Sequence, residues 1–385
     1  MKKNYLKFIA AILLCTVCTN KVQAQSRIDY KFAFNPVRGL VNEEEKPYRQ
    51  ELCINGKWDF MPVYSAKASD FRVPSTFKKE SVPIKIPSPW NVNNFTDGRG
   101  GDFIAYPSYP KEWEKAKIGW MKKNISIPSD WNGKQIILHF EGVMGKSEVY
   151  VNGQKVADNF ELFLPFEADI TPYIKAGQDN EIMVGVAKGS LFDEPGKYGR
   201  RTYVGGSMWG IEMAGIWQDV YLFAYNPVYI QGIFIQPDVQ NKNLKIELEI
   251  NNTTAQKKTI SLNTEIKKWY NLAGRSINES PGEKSELATQ ASLIFPEGKK
   301  VTLDPNTVTK ITIQRAVSNE LDYWTPDAPN LYGAVISLKE NNKTIDIKQD
   351  RFGWRQFTIS GDRLLLNGKP VSLRGDSWHF MGVPQ

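Results

Sequence analysis

Residues 139–156 read HFEGVMGKSEVYVNGQKV. The run QIILHFEGV, from Gln135 to Val143, reads as one β-strand, and SEVYVNGQKVA reads as the hairpin that follows it. In the hairpin Val149 and Val151 share one face and Tyr150 takes the other, because side chains alternate along a strand. Asn152-Gly153 is a two-residue turn signal: a tight hairpin of this type needs positive φ at both central residues, which Asn and Gly adopt at least cost. His139 lies mid-strand and reads as a structural residue on a sheet face. NEIMVGVA (180–187) and GIWQDVYLFAY (215–225) supply further strands. Short strands at this spacing, with no long helical periodicity, predict a sandwich or jelly roll.

The composition shifts near Asn226-Pro227, where VYIQGIFIQPDV opens a second set of strands. NLKIELEINN sets Leu244, Ile246, Leu248 and Ile250 against Lys245, Glu247 and Glu249, the pattern of a strand with one wet face. KKTISLNTEIKKW and VTKITIQRAV repeat it, with a long polar loop expected from Asn271 to Glu286. A second all-β domain of immunoglobulin-like type fits this run. LDYWTPDAPNLY (321–332) reads as a loop before its last strands, and a third region starts near Arg351.

The first residues are expected to stand outside the fold. Lys2, Lys3 and Lys7 precede an apolar run from Phe8 to Val17, and Val22-Gln23-Ala24 offers a small-residue cleavage site. That is the pattern of a secretory signal peptide, cleaved after Ala24, with a periplasmic or secreted product. The apolar run is shorter than the roughly 20 residues a membrane-spanning helix needs, so no membrane span is expected. The chain carries 49 basic and 42 acidic residues; removing the four lysines of residues 1–24 leaves 45 against 42, or +3. With only short basic runs such as Gly199-Arg200-Arg201, no nucleic-acid partner is expected. Cys53 is the one cysteine left after cleavage and reads as a small buried hydrophobe. The two histidines, His139 and His379, and the cysteines form no cluster with metal-site spacing, so neither a metal nor a cofactor is expected.

Eight segments in order together resemble glycoside hydrolase family 2, the family of β-galactosidases, β-glucuronidases and β-mannosidases. They are INGKWDF (54–60), IPSPWNVNNF (86–95), the segment quoted first, LPFEADITPYI (164–174), GIWQDVYL (215–222), WTPDAPNLY (324–332), FGWRQFTI (352–359) and LLLNGKPVSLRGDSWH (364–379). The resemblance implies a mainly β chain. A signal peptide (1–24) precedes a jelly-roll sugar-binding domain (27–226) and an immunoglobulin-like sandwich (228–350). Residues 351–385 then begin a (β/α)₈ barrel, with Pro370 to Gly375 as its first strand and the chain expected to be truncated inside that domain.

The implied activity is hydrolysis of O-glycosidic bonds by a retaining mechanism, which needs two carboxyl groups about 5–5.5 Å apart. The family's two glutamates come from later barrel strands, while the last glutamate here is Glu340. After Arg351 the acids are Asp362, in a turn, and Asp376. No catalytic residue is therefore assigned in this chain, which is expected to be inactive alone. The resemblance implies sugar contacts for Arg374 and His379, with Asp376 beside them; Ser377 stands where many members carry Asn. The chain departs from the β-galactosidase pattern at two places, with Phe103 three residues before Tyr106-Pro107 and Ser207 before Met208-Trp209; Asp102 lies next to the first. Trp90 and Trp209 could stack on a sugar, but core packing is the commoner use of such residues. A carbohydrate is the expected partner. Two other readings stay open: a non-catalytic carbohydrate-binding protein, and a surface interaction protein using two sandwiches as spacers.

Overall fold

The computed structural model describes residues 39–91, 109–192, 212–272, 285–296 and 299–375. The segment 1–24 with its expected cleavage site, Asp102, Phe103, Tyr106-Pro107, Ser207, Met208-Trp209, Asp376, Ser377 and His379 lie outside these residues.

The first half is built from β1 (Gln50–Cys53), β2 (Gly56–Val63), β3 (Ile84–Ile86), β4 (Ile118–Ser126), β5 (Gln135–Phe140) and β6 (Val143–Met144). It continues with β7 (Lys146–Val151), β8 (Gln154–Asn159), β9 (Phe166–Asp169), β10 (Asp179–Ala187), β11 (Gly215–Ile216) and β12 (Val220–Tyr225). One sheet runs β1-β12-β5-β9, the other β3-β2-β4-β10-β7-β8, and β6 pairs with β11. Every pairing between them is antiparallel. Between the two sheets lies a core holding Trp58, Trp90, Trp113, Phe60, Leu138, Phe140, Val149 and Val151.

The hairpin at 146–159 folds as its sequence predicts. Asn152 and Gly153 take φ of 48° and 81° at the β7–β8 turn. Val149 and Val151 face the core, while Tyr150 joins a second cluster on the outer face with Met61, Phe71, Trp120 and Met183. Burial of each valine contributes about 1.5–3 kcal/mol. The alternation inverts on β5, where Leu138 and Phe140 point inward and Ile137 and His139 outward.

The second half holds β13 (Val228–Asp238), β14 (Asn243–Asn252), β15 (Lys258–Asn271), β16 (Ser285–Ile294), β17 (Lys299–Leu303), β18 (Thr307–Ala316), β19 (Leu331–Glu340) and β20 (Lys343–Phe352). A three-stranded sheet, β13-β14-β18, faces a larger one in order β16-β15-β19-β20, with β17 also on β15. Leu244, Ile246, Leu248 and Ile250 of β14 are fully buried in its core, and Phe352 and Trp354 close it. The loop expected over Asn271–Glu286 is bounded by strand at both ends, since β15 reaches Asn271 and β16 starts at Ser285.

The two halves are fastened by a buried ion pair. Arg49 donates to Asp346 through Nε (2.9 Å to Oδ1) and Nη2 (2.6 Å to Oδ2). It also donates to the carbonyls of Ile347 (3.0 Å) and Ile230 (2.7 Å), and the Ile230 N–H donates to Asp346 Oδ2 at 2.7 Å. Glu45, also buried, accepts from the Gln349 N–H at 2.6 Å.

Last comes a three-stranded meander, β21 (Phe357–Ser360), β22 (Arg363–Leu366) and β23 (Lys369–Pro370). The strand expected over Pro370–Gly375 is present only in its first residue. Val371 still donates to Leu364 O at 2.9 Å, but residues 372–375 are irregular and exposed. Their backbone groups meet no further strand among the described residues, and an unpaired edge does not hold a strand conformation. No closed barrel occurs among the described residues. No described helix is long and apolar enough to cross a membrane.

Candidate functional site

At one end of the first sandwich, the connections after β3, after β10, before β11 and between β8 and β9 meet. Asn91 is the centre of a knot there. Its Oδ1 accepts the Ala214 N–H at 2.8 Å and its Nδ2 donates to the Glu212 carbonyl. The Glu212 carboxylate in turn accepts both the N–H and the hydroxyl of Ser190, each at 2.7 Å. Backbone bonds extend the tie: Trp90 N–H donates to Ala214 O at 3.0 Å and Ser88 N–H to Ile216 O at 2.8 Å. The Ser88 hydroxyl meets the Tyr109 hydroxyl at 2.6 Å. Asn91 and Tyr109 flank residues 92–108, and Phe192 and Glu212 flank 193–211, so the knot anchors the chain on both sides of Phe103 and Ser207.

Aromatic side chains rim this end. Phe192 lies edge-on to Phe160 (ring centres 5.5 Å apart) and to Phe71 (6.4 Å), and Phe163 lies edge-on to Trp217 (6.2 Å). The Lys146 ammonium stands 4.9 Å from the centre of the Phe192 ring, close enough for a cation–π contact. Phe163 and Leu164 are 60% and 59% exposed. Trp217 Nε1 donates to Leu162 O at 3.1 Å, which fixes the loop that carries them. Lys188, beneath the knot, donates to Glu114 O at 2.7 Å; burial pushes its ammonium pKa down, with Glu212 opposing. The carboxylate, amide and hydroxyl groups of the knot bond one another and the backbone, so they brace the loops, and the exposed aromatic rim is the flat apolar surface that the C–H face of a sugar could meet.

Other residues singled out in the sequence are placed as follows. Arg374 is exposed in the irregular segment after β23, and no described contact joins it to the knot. Trp90 is completely buried in the core, so its ring is not available to a ligand. Cys53 is half-buried on β1, where burial pushes its thiol pKa up, away from reactivity. His139 sits on the outer face of β5 with both ring nitrogens engaged, Nδ1 to Glu167 Oε1 at 2.9 Å and Nε2 to Glu141 Oε1 at 2.6 Å. Burial works against its charge, but the two carboxylates raise its pKa above 6.5. The two carboxylates flank the imidazole instead of converging on open space, so they do not form the acid/base and nucleophile pair of a glycosidase. No group of three or more His, Cys, Asp or Glu among the described residues could hold a metal ion.

Sequence reading quoted Asn91 within its motif without assigning it a role, and missed Glu212 and Ser190. Twenty-two residues separate those two, and only the folding of the β10–β11 connection brings them together.

Residues 52–226 match the family described as "Glycosyl hydrolases family 2, sugar binding domain", and residues 228–355 match "Glycosyl hydrolases family 2". A β-glucuronidase of Formosa agariphila is 25% identical over 359 residues, covering 87% of this chain and 33% of the relative. A β-galactosidase of Thermoanaerobacter pseudethanolicus is 28% identical over 276 residues, covering 70% of this chain and 33% of the relative. Among solved structures, a β-glucuronidase from Bacteroides uniformis superposes with a TM-score of 0.61 at 22% identity, over 85% of this chain and 35% of its own. A putative β-galactosidase from Bacteroides fragilis gives 0.60 at 23% identity, over 84% of this chain and 44% of its own. At such identities the superpositions establish the fold. The chain spans about a third of the length of the curated relatives it matches.

Proposed function

The chain belongs to glycoside hydrolase family 2, and from that premise we propose that it forms the sugar-binding, non-catalytic part of an exported glycosidase that cleaves O-glycosidic bonds with retention. The observation that carries the proposal is the succession of the two matched domains over residues 52–355, with the Asn91–Glu212 knot and its aromatic rim at one end of the first. The relatives' names give β-glucuronides and β-galactosides as the first substrates to try. In this reading Arg374, Asp376 and His379 contact the sugar, and the two catalytic carboxyl groups do not come from residues 1–385. Export follows cleavage after Ala24, and mass spectrometry of the mature N-terminus tests it directly.

The decisive experiment assays the purified 385-residue chain on chromogenic β-galactosides, β-glucuronides and β-mannosides, and measures glycan binding alongside. The expected result is binding without turnover, because acid/base and nucleophilic groups each supply orders of magnitude of the rate. Turnover that survives repurification and is lost in His379→Ala would overturn the non-catalytic assignment. Absence of binding to any glycan in the panel would overturn the sugar-binding one.

A further inference from the structure

His139 occupies an arrangement that the sugar chemistry does not use. A neutral imidazole carries one N–H, so it can donate to one carboxylate only and would turn a lone pair toward the other. Here both nitrogens lie within hydrogen-bond distance of carboxylate oxygens, 2.9 Å to Glu167 and 2.6 Å to Glu141. That geometry is satisfied in full by the imidazolium, which donates twice to two anions, and is half-repulsive for the neutral ring. The ring side chain is 12% exposed, so its bonds are only partly open to replacement by water.

The three residues join two strands and a turn of the first sandwich. His139 is on β5, Glu141 lies in the turn after β5, and Glu167 is on β9, directly opposite His139 in the ladder. β9 is a four-residue edge strand whose ladder bonds go to β5 alone. It is entered from the loop 160–165, which bears the exposed Phe163 and Leu164 at the rim of the candidate site. We propose that His139 is a pH-sensitive clamp which fastens the edge strand β9, and through it the aromatic loop 160–165, to the body of the sandwich.

The surroundings leave His139 as the group that changes charge near neutral pH. From β12, Tyr221 and Phe223 pack on the ring, with centres 6.5 and 5.4 Å away. Burial pushes the Tyr221 and Tyr225 phenols upward, with Asp219 adding to the first and Arg49 opposing at the second. From β1 come Cys53, whose thiol burial also pushes up, and Glu51, which accepts the Leu40 and Val41 N–H groups. Segment 39–49 contributes Val41, the buried Glu45 and the Arg49 guanidinium, 4.8 Å from the Tyr225 ring centre. From β9, Asp169 accepts the Thr171 N–H. Because the folded His139 pKa lies above its ordinary value, the clamp is fully present below about pH 6.5 and is lost as pH rises through the folded pKa.

The test is a pair of measurements on the full chain from about pH 5.5 to 9, a range that brackets a raised histidine pKa. The His139 ring C–H resonance, assigned by its loss in His139→Gln, is followed by NMR. Amide exchange at Phe166–Asp169 is followed in parallel and corrected for the intrinsic rate. The expected result is a His139 midpoint above 6.5 and a several-fold loss of β9 protection across that midpoint, with β10 unchanged. Glu167→Gln, at a half-exposed position that tolerates the change, should lower the midpoint and abolish the pH dependence of β9 protection. A midpoint at or below 6.5, protection of β9 that does not vary with pH, or pH dependence that persists in Glu167→Gln would each overturn the clamp.

Discussion

Replacing Asp346 by alanine should leave the Arg49 guanidinium buried without its ion-pair partner, with Glu45 the remaining carboxylate that acts on it. The side chains are 3% and 0% exposed, so water cannot enter to compensate. Arg49 would lose two of its four hydrogen bonds and keep those to Ile230 O and Ile347 O, which carry partial charges only. Breaking a buried pair by removing one partner costs about 3–5 kcal/mol. The Ile230 N–H, which donates to the same carboxylate, is orphaned as well and moves the loss toward the upper end of that range. In the double variant Arg49→Met/Asp346→Leu neither member of the pair remains to be desolvated. Its cost should fall to about 1–3 kcal/mol, the penalty for the unpaired Ile230 N–H and its neighbouring carbonyls. The assay is urea unfolding of the two variants and the parent at neutral pH, followed by tryptophan fluorescence. If the halves unfold in separate steps, the loss should appear in the step that parts them. A single variant within about 1 kcal/mol of the parent, or a double variant as unstable as the single, would refute the reasoning that an uncompensated charge dominates.

Leu248→Ala on β14 removes a fully buried side chain from the second core and should cost about 2–5 kcal/mol in the same unfolding assay. Gly145→Ala is expected to destabilise by more than the usual glycine-to-alanine effect, read as a fall in Tm. Gly145 has φ of +115°, and a Cβ there would lie 2.5 Å from the Ala187 carbonyl oxygen. Tyr150 should ionise at about 12, because burial and the adjacent Glu148 disfavour the phenolate. Its contribution to stability is present below its ordinary pKa of about 10 and is lost as pH rises through the folded value, and Glu148→Gln should lower the ultraviolet titration midpoint. Asn91→Ala should speed amide exchange at Ala214 by at least several-fold while β14 exchange stays constant, since it removes two side-chain bonds from one loop anchor only.

Much of the fold could be read without coordinates because the signals that specify it are local. Val149, Tyr150 and Val151 alternate between two faces, and the structure puts them in two different apolar clusters. Asn152-Gly153 and Asn367-Gly368 both take positive φ at hairpin turns. The strand at 243–252 is buried at every second residue, as its sequence predicts. The less regular SELATQASLI gives no comparable alternation, and its strand β16 pairs through two register shifts. Residues 372–375 show the converse: a strand-like sequence stays irregular where its backbone meets no further strand among the described residues.

The candidate site was legible only in outline. Resemblance pointed to the loops around Asn91 and Ser207, and Arg374 among its residues is described but makes no contact there. What the sequence by itself determined was which residues alternate, where the chain turns, and to which family its motifs are similar. These depend on residues a few positions apart, whose geometry is set by backbone sterics. The tertiary structure alone decided that Glu212 closes on Ser190, that Glu167 stands opposite His139, and that Arg49 meets an aspartate 297 positions further on. The Glu167–His139 pair is fixed by strand register, where a one-residue slip would send the side chain to the opposite face; the other two depend on how segments outside the strands fold against the sheets. An isolated carboxylate in a sequence carries no mark of the partner that burial will force on it.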